Sequence, residues 1–156
     1  MTDLASSIAT RDITLPDGRR LAYAEFGHPD GHPVFYFHGA PSSRFEPLLV
    51  GDETWRALGL RVLAPDRPGI GQSDFQPKRR FSDWPADVAA LANAIGLDRF
   101  SVIGMSGGGG YVAVCAAKMP ERLHSAVIIS GGWPMTWLKT RQDLPLPNRI
   151  TWFLAS

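Results

Sequence analysis

The segment Gly104-Met105-Ser106-Gly107-Gly108 constrains this chain more than any other. It fits G-x-S-x-G and lies between an apolar run, Phe100 to Gly104, and a stretch of helical character, Gly107 to Met119. A serine at a sharp strand-to-helix turn is forced into strained backbone angles. Small neighbours let adjacent backbone pass close by while the hydroxyl stands clear of the sheet. Gly104 and Gly108 supply that room, which makes Ser106 the candidate nucleophile. A phosphate-binding loop is the rival use of such glycines. It requires G-x-G-x-x-G or G-x-x-x-x-G-K-[ST]; neither aligns within Gly104 to Gly110, and no lysine follows until Lys118.

The rest of the chain reads as elements that such a turn needs around it. Ile13 to Leu15 runs into Pro16-Asp17-Gly18, after which Leu21, Tyr23 and Glu25 alternate with Ala22, Ala24 and Phe26, the pattern of an antiparallel hairpin. His28-Pro29-Asp30-Gly31 marks the next turn. Val34-Phe35-Tyr36-Phe37 and Arg61-Val62-Leu63-Ala64 are short runs ending at glycine or proline, as strands buried on both faces should. Pro47 to Leu58, between them, is assigned to a helix, so these two strands are expected to pair in parallel. Ser82 is the expected N-cap of a second helix, with Trp84, Val88, Leu91 and Ile95 on one face and Gly96 at its end. Phe100 to Gly104, Gly107 to Met119 and Ala126 to Ser130 then repeat strand, helix and strand. The fold class is α/β, a mostly parallel sheet with flanking helices.

Two further segments bear on chemistry. His38-Gly39-Ala40-Pro41 directly follows the strand Val34 to Phe37. In acyl transfer a negative charge develops on the carbonyl oxygen of the substrate, and two backbone N–H groups aimed at it stabilise it by several kcal/mol, roughly. Ala40 and Gly107 are the candidate donors; Gly39 lets the chain turn, and Pro41 has no N–H. His38 is given a structural role in this turn rather than that of general base. The second segment is Asp66-Arg67-Pro68-Gly69-Ile70-Gly71-Gln72-Ser73-Asp74. Here Asp66 and Arg67 are read as pinning their loop through hydrogen bonds to backbone.

In their order and spacing the three segments resemble the α/β-hydrolase family over about Asp12 to Gly132. In that family the His-Gly turn follows the third strand, the Asp-Arg-Pro-Gly loop the fourth and the elbow the fifth. The resemblance implies that residues 1–132 are the N-terminal part of the hydrolase core, truncated after about strand six, and that 133–156 begin a cap or lid. It implies hydrolysis of a carboxylic ester or related acyl bond through an acyl-serine. Serine at the elbow disfavours dehalogenase and epoxide hydrolase chemistry, which use a carboxylate there. The family order is serine, then acid, then histidine. After Ser106 come only Glu121, Asp143 and His124, which fit poorly, so the acid and base are expected beyond Ser156. The chain alone is expected to be catalytically incomplete; a pseudo-enzyme or interaction module, or half of a split enzyme, stays open.

The remaining histidines are weighed by reach. The helix after Ser106 carries His124 roughly 20 Å away, and His28 and His32 precede the strand ending at His38, which places all three at the far end of the sheet. Cys115 reads as a small buried apolar group. As the single cysteine it allows no disulfide within the chain and no thiolate cluster, so no metal or cofactor is assigned and a reducing, cytoplasmic setting is expected. With 16 basic against 15 acidic residues, a formal charge of +1 and no like-charge block longer than Lys78-Arg79-Arg80, no nucleic-acid partner is expected. No stretch approaches the roughly 20 apolar residues that span a bilayer, so no membrane partner is expected either. The expected partners are a small ester-like substrate and, through the uncharged edge Val127-Ile128-Ile129, another copy of the chain.

Overall fold

The computed structural model describes residues 8–131. Strand β1 (Thr10–Thr14) and β2 (Arg20–Gly27) form the expected hairpin. Its turn closes because Gly18 adopts φ +87°, which side chains avoid, and its N–H donates to the Leu15 carbonyl at 2.9 Å. Then follow β3 (His32–Phe37), α1 (Asp52–Ala57), β4 (Leu60–Pro65), α2 (Trp84–Ala94), β5 (Phe100–Met105), α3 (Gly109–Lys118) and β6 (Leu123–Ile129). They build one six-stranded sheet of order β1-β2-β4-β3-β5-β6. The pairs β1–β2 and β2–β4 are antiparallel and the other three parallel, so the chain has the α/β architecture its pattern implies.

Strand order positions the site. From β3 the chain steps sideways to β4, then crosses back to place β5 on the other flank of β3. The segments leaving the carboxyl ends of β3 and β5 therefore diverge at a topological switch point, where open α/β sheets form their crevice. Register brings those ends level: Phe37 lies opposite Gly104.

Both faces of the central strands are buried, as their apolar runs require. On one face Phe35, Phe37, Leu63 and Val102 pack under Val88 and Leu91 of α2 and under Val112 and Cys115 of α3. On the other, Tyr36, Val62 and Ala64 pack with Phe26 and with Trp55 of α1. Cys115 is fully buried, and desolvation pushes its thiol up to about 12, so it is inert packing. Among the described residues no helix is long and apolar enough to cross a membrane.

Three expected boundaries are corrected. Pro47 to Leu58 is not one helix: a 3₁₀ turn at Glu46–Leu49 and α1 are separated by Gly51, whose φ of +95° breaks the ladder. Ser82 is not a cap. It lies inside a 3₁₀ turn at Phe81–Asp83, and the Asp83 carboxylate accepts the Arg80 N–H at 2.8 Å, doing the capping from inside the turn. The sixth strand starts at Leu123 rather than Ala126, because a turn at Pro120–Arg122 redirects the chain and Leu123 pairs with Phe100. Along β6, Val127, Ile128 and Ile129 are exposed. The expected cap segment 133–156, with Asp143, lies outside the described residues.

The tightest element contact is backbone on backbone. A Cβ on Gly108 would collide with the Phe37 carbonyl oxygen and stand 3.1 Å from that of His38. Rotamer changes cannot relieve such a clash. Gly108→Ala should lower stability by about 3 kcal/mol, the upper end of the usual overpacking cost. Urea unfolding of the protein and the variant measures it, and a loss below about 0.5 kcal/mol would contradict the packing described.

Candidate active site

Strand β5 ends at Met105, and the chain turns through a single 3₁₀ turn, Ser106–Gly108, into α3. Ser106 takes φ +49°, a left-handed conformation that costs a side-chain-bearing residue of order 1–3 kcal/mol. The turn is tight enough that a Cβ on Gly104 would lie 2.5 Å from the Gly108 carbonyl oxygen. Glycine is therefore required at both positions that the sequence pattern named. Ser106 is exposed, and no hydrogen bond engages its hydroxyl among the described residues.

The His38-Gly39-Ala40 turn leaves β3 beside it. A Cβ on Gly39 would be 3.3 Å from the Ser106 Cβ, and one on Gly107 would be 3.8 Å from the Ala40 nitrogen. The two expected N–H donors, Ala40 and Gly107, are thus neighbours flanking the serine. Neither N–H is engaged by an acceptor among the described residues.

A buried polar lattice holds this turn. The Gly39 N–H donates to Glu46 Oε2 at 2.8 Å, and the Tyr36 hydroxyl donates to Glu46 Oε1 at 3.0 Å. Burial and the Glu46 charge push the Tyr36 phenol well above its usual range, so it stays a donor. The Gly39 carbonyl accepts twice, from His38 Nδ1 at 2.9 Å and from Arg67 Nη2 at 2.8 Å.

His38 is fully buried, and its tautomer follows from its partners. Nε2 lies 3.3 Å from the Arg67 backbone N–H, which can only donate, so Nε2 is the acceptor and the proton sits on Nδ1. Burial first, and the Arg67 charge second, hold the imidazole down at about 4. With its lone pair committed to backbone, His38 is a neutral strut, the structural role expected of it.

The loop after β4 behaves partly as expected. Asp66 accepts from the Arg44 N–H at 2.8 Å, from Arg44 Nη1 at 2.6 Å and from the Gln72 N–H at 3.1 Å, so it does pin the loop. Arg67 instead reaches across to the Gly39 carbonyl and so secures the neighbouring turn. Tyr36 and Glu46 were not legible as site residues. The only signal was an acid, Glu46, set among apolar neighbours and prolines.

His28, His32 and His124 lie away from the elbow. His32 opens β3 and His124 lies near the start of β6, their rings 5.2 Å apart at the opposite end of the sheet. The same end carries an open cavity of about 330 Å³ edged by Arg11, Glu25, Asp52, Arg56 and Arg61. It is largely self-neutralised by Arg61–Glu25 and Arg56–Asp52 pairs at 3.0 and 3.2 Å and takes no residue from the elbow.

A family model described as alpha/beta hydrolase fold matches residues 32–148. The chain is 38% identical over 129 residues to a non-heme chloroperoxidase of Streptomyces lividans, covering 79% of this chain and 45% of that one. It is 32% identical over 142 residues to a bifunctional esterase/perhydrolase of Acinetobacter calcoaceticus, covering 84% and 48%. Among solved structures, a hypothetical protein of Pseudomonas aeruginosa superposes with a TM-score of 0.66 at 33% identity, over 80% of this chain and 44% of that one. The chain spans about half the length of the curated relatives it matches.

The state of His38 has a consequence for stability. Its folded value of about 4 lies below the ordinary 6.5, so between these values the unfolded chain binds a proton that the native site refuses. This contribution is full above about pH 6.5 and is lost as pH falls toward 4, by roughly 3 kcal/mol in all. Urea unfolding at pH 7.5 and 4.5 should show a pH-dependent loss that is smaller in His38→Gln by about that amount; equal losses would contradict a buried neutral imidazole.

Proposed function

The chain belongs to the α/β-hydrolase family, and from that premise we propose that Ser106 is the nucleophile of a serine hydrolase acting on a carboxylic ester or related acyl bond. One observation carries the reading: a serine at φ +49° on a strand-to-helix turn, its hydroxyl exposed, stands beside the unengaged N–H groups of Ala40 and Gly107. Ser106 Oγ attacks the acyl carbonyl, and the two N–H groups take the developing oxyanion, a stabilisation worth about 3–4 kcal/mol per donor in comparable sites. The serine's proton passes by way of a general base to the departing oxygen, which leaves as the alcohol, and water, giving up its proton to the same base, releases the acid and restores the Ser106 hydroxyl. Gly39, Gly104 and Gly108 give the backbone room, and His38 supports the donor turn.

Neither of the two buried titratable groups beside the serine is free to act as the base. His38 has no free lone pair, and Glu46 is held by Tyr36 and Gly39. In this family the acid and then the histidine follow the serine along the chain.

The intact protein, including whatever follows Ser156, should react with a fluorophosphonate probe at Ser106 and nowhere else. Ser106→Ala should abolish labelling and lower p-nitrophenyl acetate hydrolysis by at least about 10⁴-fold. Mass spectrometry that placed the label on Ser42, Ser43 or Ser73, with Ser106→Ala still active, would overturn the assignment.

A further inference from the structure

Arg67 is only 8% exposed, and among the described residues it has no carboxylate within ion-pair distance. Its Nε has no hydrogen-bond partner among the described residues. Of the groups around it, Tyr111 favours the charge most, Arg79 repels it, and Glu46 attracts it but is committed to Tyr36 and Gly39. The Tyr111 ring, 5.1 Å from Cζ, supplies a π face. Removing a guanidinium from water without a paired anion costs several kcal/mol, roughly, and the desolvation holds Arg67 below its ordinary range. A structural cross-link to a carbonyl does not require a full buried charge.

The position of that charge supplies a reason. Gly39 C=O and Ala40 N–H belong to one peptide plane, and the Gly39–Ala40 bond is trans, so the two groups point in opposite directions. Arg67 Nη2 and His38 Nδ1 both donate to this carbonyl, at 2.8 and 2.9 Å. Two donors on one oxygen fix the rotation of the plane and hence the aim of the N–H. They also polarise the amide and make its N–H a stronger donor. Nη1 of the same guanidinium is 3.8 Å from where a Cβ on Gly107 would stand, so the charge lies beside that residue as well.

Resting on the assignment of Ser106, Ala40 and Gly107 above, we propose that Arg67 is a positioning residue of the oxyanion pocket. It locks the Gly39–Ala40 peptide with its N–H toward the reacting carbonyl, and its charge on the Gly39 carbonyl polarises that amide, so the Ala40 N–H donates more strongly when the oxyanion forms. Stabilisation that appears with the oxyanion raises kcat and leaves ester binding alone.

The test uses the intact protein with p-nitrophenyl acetate as substrate and phenylboronic acid as the mimic of the tetrahedral adduct. In Arg67→Met, kcat should fall about 10²-fold with KM within about twofold, and the boronate inhibition constant should rise by a similar factor. Arg67→Lys keeps the charge but not the fork and should recover part of the loss, standing about tenfold below the parent with an unchanged thermal midpoint. If Arg67→Met fails to fold, Arg67→Lys decides alone. An unchanged kcat and boronate affinity in Arg67→Lys overturns the lock, as does a rise in KM at constant kcat, the signature of an arginine that binds an anionic group on the substrate. Fluorophosphonate labelling of Ser106 in the same variants separates the two levels: labelling that persists in Ser106→Ala removes the nucleophile assignment itself.

Discussion

The approach of Gly108 to the carbonyl end of β3 is the constraint from which the rest of the site follows. Because no side chain intervenes there, the start of the segment leading into α3 presses on the Phe37 and His38 carbonyls, and the turns that leave β3 and β5 come into contact. Gly104 meets the Gly108 carbonyl from within the same turn. A serine caught between them has no relaxed backbone to adopt, and its φ of +49° records this. The strain is sustained by the packing beneath it, where Phe37, Val102 and Val112 are essentially excluded from water.

Above that apolar body the loop layer is held by charge. Asp66 with Arg44, Glu46 with Tyr36, and His38 with Arg67 are all buried; the two carboxylates are fastened to backbone as well as to a side chain, and His38 to backbone at both ring nitrogens. Buried polar groups are tolerable when their hydrogen bonds are made, and a satisfied lattice fixes one arrangement more sharply than apolar contacts do. Arg67 is the exception within this layer: among the described residues no carboxylate pairs with it, and its guanidinium holds the carbonyl of the peptide that carries the Ala40 N–H. The serine-based hydrolase reading and the role of Arg67 draw on the same local geometry.

Much of this was legible in residue order. Alternation in Leu21 to Phe26, the apolar run Val34 to Phe37 and the glycines around Ser106 report local requirements, and strand pairing followed from them. Contacts made across the sequence were not legible. Glu46 caps the Gly39 N–H from seven residues away, and Arg67 reaches Gly39 from the loop after another strand. Neither spacing follows a helical or strand period. The break at Gly51 was missed because glycine in a short apolar stretch does not announce whether it will be helical or left-handed, and Ser82 because Asp83 offered the stronger acceptor one residue later.

The central claim is geometric, that one exposed serine stands before two backbone donors. It is tested most directly by a crystal structure of the intact protein carrying a phosphonate bound covalently to Ser106. The account predicts a phosphonyl oxygen within about 2.7–3.1 Å of both the Ala40 and the Gly107 nitrogens, with the Gly39 carbonyl still held by His38 and Arg67. A phosphonyl oxygen turned away from both nitrogens, or one bound by other donors, would contradict it.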